Sequence, residues 1–291
     1  MIPRFSLIRP RTMIEAFAAF AGTNGEGAWI AGGTELLQVM KMGLAQFATL
    51  IDVKAIPQLH GITLDADGSL VIGAATTHRL VERSAAVREA APGLATLAAA
   101  IANVRVRNTG TIGGNLAFAE PHSDPATFLV ACDATVRLAG PGGERELPVA
   151  DFVLGPLFTA READELVLSV RVPAAGPGVG RAYEKFAFFE RPAASVAVRL
   201  AVQDGRLAGS TVAVGSLSEI PTVVAAAGQA FDGVEANPEA LGSRLDAARD
   251  AFGELDVVAD LNGSADYKRH LAGVLLGRAA QRALTEALAH A

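Results

Sequence analysis

The sequence predicts an α+β protein built in two lobes, and three observations carry that reading. The chain has 291 residues, enough for about two domains at roughly 150 residues each. As far as Val172, short apolar strands alternate with helical segments, whereas beyond Gly180 three strands in a row precede a run of helices. Between the two patterns, residues 173–180 are dense in Pro and Gly and make the best linker in the chain. A hydrophobic share of 51% against 19% charged residues supplies apolar surface for both cores and excludes a disordered chain.

Taken in order, Thr12 or a neighbour caps a helix running to about Ala21, and residues 28–31 read as a short buried strand. Gly32-Gly33 breaks that strand, after which residues 34–41 place Leu36, Leu37 and Met40 on one helical face, with Gly43 as the stop. Residues 50–53 form a further strand, and residues 61–64 and 70–73 form a hairpin closed by Asp67-Gly68. One helix starts at Thr77, and a second follows Pro92, whose fixed φ suits a first helical turn. Residues 109–117 read as a glycine-dominated turn. Ser123-Asp124-Pro125 opens a helix that ends near Cys132; residues 134–138 are a strand, 140–143 a turn and 165–172 a strand. Past the linker, residues 182–188, 195–202 and 207–215 are strands, the last two joined at Asp204-Gly205. From Pro221 the pattern is helical and ends in a helix over about 266–289.

Composition removes several function classes. Lys+Arg 25 against Asp+Glu 31 leaves a formal charge of −6, without the positive field that draws nucleic-acid phosphates. The single cysteine, Cys132, excludes an internal disulfide, a Cys-rich zinc site or an iron–sulfur cluster held by this chain alone, and fits a cytoplasmic protein. The longest uncharged stretch, residues 90–104, contains Pro92, Gly93 and Asn103 and is too short to cross a bilayer of about 30 Å, so no membrane span is expected. Arg4, Arg9 and Arg11 ahead of Ala16-Phe17-Ala18-Ala19-Phe20 mimic a signal peptide, but Glu15 interrupts the approach and an amphipathic helix is the better reading.

Two segments carry the chemical information: Ala31-Gly32-Gly33-Thr34-Glu35 and Thr109-Gly110-Thr111-Ile112-Gly113-Gly114-Asn115. Paired glycines admit positive φ and can present bare N–H groups to a bulky anion. A helix following Gly33 would add its own unpaired N–H groups, and Thr34, Thr111 and Asn115 bring side-chain donors. Neither segment fits G-x-G-x-x-G or G-x-x-x-x-G-K-[ST], so the Rossmann and P-loop readings lose their support. Two such turns in one lobe suit a pyrophosphate gripped from two sides, although a lone Gly-Gly pair is more often a structural turn.

Ala31-Gly32-Gly33-Thr34 before a helix, then Thr111-Ile112-Gly113-Gly114-Asn115, then Asp124, together resemble the FAD-binding (medium) subunit of molybdenum hydroxylases of the carbon monoxide dehydrogenase-like and xanthine dehydrogenase-like type. Met1-Ile2-Pro3, Val71-Ile72-Gly73-Ala74, Thr76-Thr77-His78 and Tyr183-Glu184-Lys185 fall in the same order, so the resemblance covers nearly the whole chain.

The resemblance implies an FAD-binding lobe of the vanillyl-alcohol oxidase and MurB type over residues 1–175, with subdomains of about 1–55 and 56–175. A C-terminal lobe over 176–291, with a three-stranded antiparallel sheet and a helical bundle, would follow. It also implies that Ile30, Ala31, Gly32, Gly33, Thr34, Glu35 and Leu36 wrap the pyrophosphate of a non-covalent FAD, with Thr111, Ile112, Gly113, Gly114 and Asn115 closing the second side. Ile101 would pack near the flavin, Asp124 would accept from ribityl or ring donors, Val167 would offer a backbone contact and Lys185 would lie near the cofactor. Glu35 is expected to point away from the phosphates or to bind ribose.

The function implied is electron transfer. Electrons from [2Fe–2S] centres on a small partner subunit, supplied by a molybdopterin-binding large subunit, would pass through FAD to an external acceptor, in a dimer of heterotrimers. A stand-alone FAD oxidase or reductase and a non-catalytic flavin-binding module are the other functions compatible with the sequence.

Other residues read more plainly. His78 at a helix start is expected to be structural, His122 to lie on a surface loop and Cys132 to be a small buried hydrophobe. His60, His270 and His290 show no metal-ligand spacing, and no H-E-x-x-H or G-x-S-x-G occurs, so no metal site or catalytic residue is expected on this chain. Tyr183, Phe186, Phe188 and Phe189 read as a strand packed between the lobes, or as a source of an aromatic covering the flavin ring. Lys268, Arg269, Arg278 and Arg282 on the final helix read as a solvated face or a docking surface.

Overall fold

A computed structural model of the protein describes residues 2–290; Met1, the first residue of the Met1-Ile2-Pro3 start, and Ala291 lie outside the described residues. The chain opens with a parallel three-stranded sheet. Thr49–Asp52 lies at its centre, flanked by Ser6–Ile8 and Gly27–Ile30, with Leu7 opposite Leu50 and Trp29 opposite Ile51. Helix Met13–Ala21 connects the outer strands; extended Thr12 caps it by accepting from the Glu15 N–H at 3.2 Å. Phe20 of that helix stacks on Trp29 at 4.5 Å, tying helix to sheet.

A second, antiparallel sheet has five strands in the order Ile62–Leu64, Leu70–Gly73, Leu166–Val172, Thr135–Gly140, Gly143–Pro148. Its central strand arrives last in the sequence and joins two hairpins made earlier, with Arg171 opposite both Val71 and Thr135. Helices between the second strand and Thr135–Gly140 cover one face, so that Leu94, Phe128 and Leu129 pack with Ile72, Val136 and Val170 in one core. Residues 78–100 form three helices where the sequence reading has two. Ser84 takes an extended backbone and caps Ala85–Ala90 through Val87 N–H, which stops the first helix after Arg83. Strand Gly143–Pro148 was not among the expected elements; its side chains are exposed or nearly so, and nothing in them alternates.

The glycine segment 109–117 is also different from its expectation. Thr111 is an N-cap, accepting from Gly114 N–H at 3.2 Å, and residues Ile112–Phe118 are helical. Gly113 serves close approach: a Cβ there would overlap the Cβ of Ala74, so the helix lies directly against the chain leaving strand Leu70–Gly73.

The chain then enters a third sheet of three long antiparallel strands, Val179–Phe186, Ala194–Gln203 and Arg206–Gly215, with a two-residue fourth, Thr222–Val223. Strand alternation divides its side chains between two cores. Val196, Val198, Val212 and Val214 join the C-terminal core, whereas Tyr183, Ala197 and Ala213 join the core of the second sheet. The 25-residue helix Ala265–Ala289 covers the C-terminal side, and Gly180 lets it in, because a Cβ there would overlap the Ala283 carbonyl oxygen. Lys268, expected on a solvated face, is 1% exposed. Its ammonium donates to the carbonyls of Ser216 and Val258, both at 3.1 Å, and to Asp260 at 2.6 Å, which satisfies all three protons and makes burial tolerable. No helix among the described residues is long and apolar enough to cross a membrane.

Candidate cofactor-binding site

The first glycine turn leaves strand Gly27–Ile30 and leads into the short helix Leu36–Lys41. Gly33 has a φ of +67°, where side chains with a Cβ are strained, and a Cβ on it would also meet the Ile30 side chain at 2.9 Å. The backbone N–H groups of Gly32, Gly33, Thr34 and Glu35 find no acceptor among the described residues. The second segment behaves differently. Ile112 N–H donates to Thr76 O, Gly113 N–H to Ala74 O, Gly114 N–H to Thr111 Oγ1 and Asn115 N–H to Thr111 O. Of the second segment only Thr111 N–H lacks an acceptor among the described residues, so the first turn presents most of the bare donors that the sequence suggested for both. The two segments abut: a Cβ on Gly32 would overlap the Thr109 carbonyl oxygen, and one on Gly114 would stand 4.0 Å from the Ala31 Cβ. From the other side Lys54, held by Asp52 at 2.7 Å, donates to the Ala31 carbonyl at 2.7 Å and braces the turn.

Two chambers meet at this junction, sharing Ala31, Leu36, Gly114 and Phe118 in their walls. The first, of about 200 Å³, is lined by residues 30–36 together with Ile101, Thr111, Asn115 and Asp124. The second, of about 540 Å³, is mainly apolar and runs past Trp29, Gly113 and Val167 to Arg161 and Glu165. Arg145 pairs with Glu165 through two contacts of 2.7 Å, and Arg161 donates to the carbonyls of Glu162 and Glu165, both at 2.8 Å, so the polar end is fixed. Of the residues singled out in the sequence, Ile112 lines neither chamber and is buried in the core, while Lys185 acts through Asp124.

Asp124 sits at the start of helix Asp124–Ala131, 4% exposed. Its two oxygens accept separately, one from the Tyr183 hydroxyl at 2.5 Å and one from Lys185 Nζ at 2.8 Å. Burial raises its carboxyl above the usual range, and the Lys185 charge with both hydrogen bonds works against that rise. The Tyr183 phenol is pushed far up by burial and by the carboxylate beside it, so it remains a donor. Beside Asp124, Ser123 donates to the Asn115 side chain at 2.6 Å, which fixes the amide against the chamber.

The C-terminal lobe closes over the first chamber through three consecutive residues. Glu190 accepts from Asn103 at 2.5 Å, Arg191 pairs with both Glu35 and Glu120 at 3.1 Å, and the Pro192 carbonyl lies 3.0 Å from His122 Nδ1. Glu35 thus points toward the C-terminal lobe. The other His122 nitrogen faces Asp260 at 3.1 Å, so this histidine belongs to the seam between lobes. Asp260, despite partial burial, has its carboxyl held below the usual range by Lys268, Asn262 N–H and His122. Arg191 and Glu190 could not be found from sequence, because they reach the site from a strand connection of another lobe. His78, 4% exposed in the wall of the first chamber, carried the weak signal of its Thr-Thr-His setting. Burial lowers its pKa to about 4, so the ring is neutral.

Phe188 stacks on Tyr267 at 6.5 Å and Phe189 is 91% exposed; neither lines a chamber. Cys132 is buried, its thiol pushed up to about 12 by burial, which makes it an inert core residue. Among the described residues no group of three or more His, Cys, Asp or Glu is placed to hold a metal ion.

Comparison with known proteins gives a consistent set of likenesses. Residues 3–175 match the family model of the FAD binding domain in molybdopterin dehydrogenase, and residues 190–283 match that of the CO dehydrogenase flavoprotein C-terminal domain. The chain is 35% identical over 282 residues to the carbon monoxide dehydrogenase medium chain of Hydrogenophaga pseudoflava, covering 95% of this chain and 96% of the relative. It is 33% identical over 270 residues to the nicotine 6-hydroxylase medium subunit of Paenarthrobacter nicotinovorans, covering 91% and 92%. Among solved structures, a chain of carbon monoxide dehydrogenase from H. pseudoflava, an enzyme form lacking the Mo-pyranopterin moiety, superposes with a TM-score of 0.92 at 34% identity, covering 98% and 99%.

Proposed function

Because the chain belongs to the FAD-binding subunit family of the molybdopterin dehydrogenases, a family of flavoprotein oxidoreductase subunits, we propose that it is the electron-transfer subunit of such a complex, with FAD extended across the two chambers. The four unpartnered N–H groups of residues 32–35 carry this reading. Donors without a protein acceptor, at the junction of an apolar chamber and a polar one, fit a diphosphate joining two aromatic halves. In this reading residues 30–36 and 111–115 hold the diphosphate, the chamber of Trp29 and Val167 takes the adenine, and that of Ile101 and Asp124 takes the flavin, without a covalent bond. Bound FAD supplies a two-electron carrier that can exchange electrons singly.

The chain's own residues bind and orient. Asp124, held by Tyr183 and Lys185, offers a fixed acceptor; Lys54 braces the phosphate turn; residues 190–192 shield the flavin chamber from water. No residue need abstract a proton from substrate. Electrons would enter from [2Fe–2S] centres on a small subunit, fed by a molybdopterin-binding large subunit, and leave to an external acceptor. The lone, inert Cys132 supports placing the iron–sulfur centres on a partner, and a dimer of heterotrimers in the cytoplasm is the assembly proposed.

Flavin absorbance of the purified protein tests the binding site. Gly33→Val and Gly114→Val should each abolish it while leaving the far-ultraviolet dichroism intact, because the first distorts a turn that needs positive φ and crowds Ile30, and the second displaces the Thr111 hydroxyl beside Ala31. Normal FAD content in folded variants would overturn the assignment. Complex assembled without this chain should keep dye reduction at the molybdenum subunit and lose reduction of the physiological acceptor.

A further inference from the structure

We propose that His78 is a further binding residue of the cleft, its imidazole N–H donating a hydrogen bond to the diphosphate of the dinucleotide. The proposal rests on the reading that FAD occupies the two chambers.

His78 opens helix His78–Arg83, capped by Thr77, and its backbone N–H donates to the Gly110 carbonyl at 3.0 Å, which pins it beside the second glycine segment. Its side chain is enclosed yet reaches the wall of the first chamber. Burial alone accounts for its lowered pKa, and neither ring nitrogen has a hydrogen-bond partner among the described residues. Neither ring nitrogen is sealed off from the surface, so the unpaired ring opens onto the chamber, where a bound group can meet it. Its surroundings indicate where that partner lies. A Cβ built on Gly110 would stand 3.3 Å from the His78 ring and 3.4 Å from Thr34 Oγ1, so ring and hydroxyl crowd the same glycine. Thr34 is also one of the four residues whose N–H groups lack an acceptor. The ring and the Thr34 hydroxyl therefore both lie against Gly110, at the edge of the first turn.

Charge makes an anion the fitting partner. As a neutral imidazole His78 has one N–H to give. The other charged groups sharing the chamber are already engaged: Glu35 and Glu120 with Arg191, Asp124 with Lys185, His122 with Asp260, and Glu190 with the Asn103 amide. Glu82 on the helix of His78 and Arg107 on the neighbouring helix Val104–Thr109 pair with each other at 3.2 Å, and Arg79 also pairs with Glu82. None of them turns to the imidazole.

The test uses the full-length chain stripped of FAD and titrated with FAD, following flavin fluorescence. His78→Phe keeps the ring volume and removes both nitrogens; His78→Gln keeps a donor. The Phe variant should bind FAD about tenfold to a hundredfold more weakly, the range for a hydrogen bond to a charged group, and Gln should recover part of the loss. The phosphorus resonances of bound FAD should shift in the Phe variant. Unliganded, that variant should be about as stable to urea as the wild type, because no hydrogen bond within the protein is lost with the ring nitrogens. A purely structural His78 predicts the opposite pairing, lowered stability with unchanged affinity, and that result overturns the proposal. Equal losses for Phe and Gln would also overturn it. If the wild-type chain itself fails to take up FAD, the failure lies with the reading of the cleft rather than with His78.

Discussion

His78 and Asp124 are almost equally enclosed in one chamber, and burial acts on both by disfavouring the charged form. They differ in that Tyr183 and Lys185 work against the shift at Asp124, whereas nothing works against it at His78. This difference sets a pH dependence. The unfolded chain protonates His78 near its ordinary 6.5, the folded chain only near 4, so between these values the unfolded state binds more protons. Stability conferred by the neutral ring is complete above about 6.5 and is lost as pH falls toward 4, by at most about 3 kcal/mol for one such group. Urea unfolding without FAD at pH 7.5 and pH 5 should show a smaller fall for His78→Phe than for wild type; identical falls would contradict the neutral buried ring. Sequence alone named Asp124 and Lys185 through their resemblance and read His78 as structural; the enclosure of its ring is a property of the folded environment.

At the scale of elements, glycine is where sequence and structure diverge most usefully. Gly32-Gly33 and Gly113-Gly114 look alike in sequence, but one pair forms a turn with free donors and the other lies in a helix pressed against Ala74. Gly180, unremarked in the linker, admits the final helix against strand Val179–Phe186. Gly180→Ala should therefore destabilise the protein by about 2 kcal/mol or more, since backbone rather than a flexible side chain must give way. Gly142→Ala, in open space, should change stability by less than about 0.5 kcal/mol. Thermal unfolding of the two variants checks this, and similar midpoints would refute the packing role of Gly180. Strand and helix positions were largely legible, because alternation in residues 194–203 and the Asp67-Gly68 and Asp204-Gly205 turns are local signals. Strand Gly143–Pro148 was not, since an exposed edge strand writes no hydrophobic pattern.

Across the whole molecule, residues 190–192 of the C-terminal lobe touch both parts of the FAD-binding region, through Glu35 on one side and Asn103, Glu120 and His122 on the other. With FAD in the first chamber as proposed, its exchange is expected to depend on these contacts. Arg191 is 51% exposed at its side chain, so its pairs are screened and each is worth about 1 kcal/mol or less. Arg191→Met should speed FAD release by a few-fold and blunt its salt dependence, as measured by stopped-flow dilution of the loaded protein. Unchanged release would show that these residues do not restrain the cofactor.

The sequence by itself determined the order of most strands and helices, the family and the two glycine segments, all of which rest on local pattern or on motif order. Tertiary structure decided which segment keeps its N–H groups free, which lysine is buried, and which residues from a distant strand connection close the chamber. The reason is physical: propensity and periodicity act over a few residues, whereas hydrogen-bond partnership and burial depend on what the rest of the chain brings alongside.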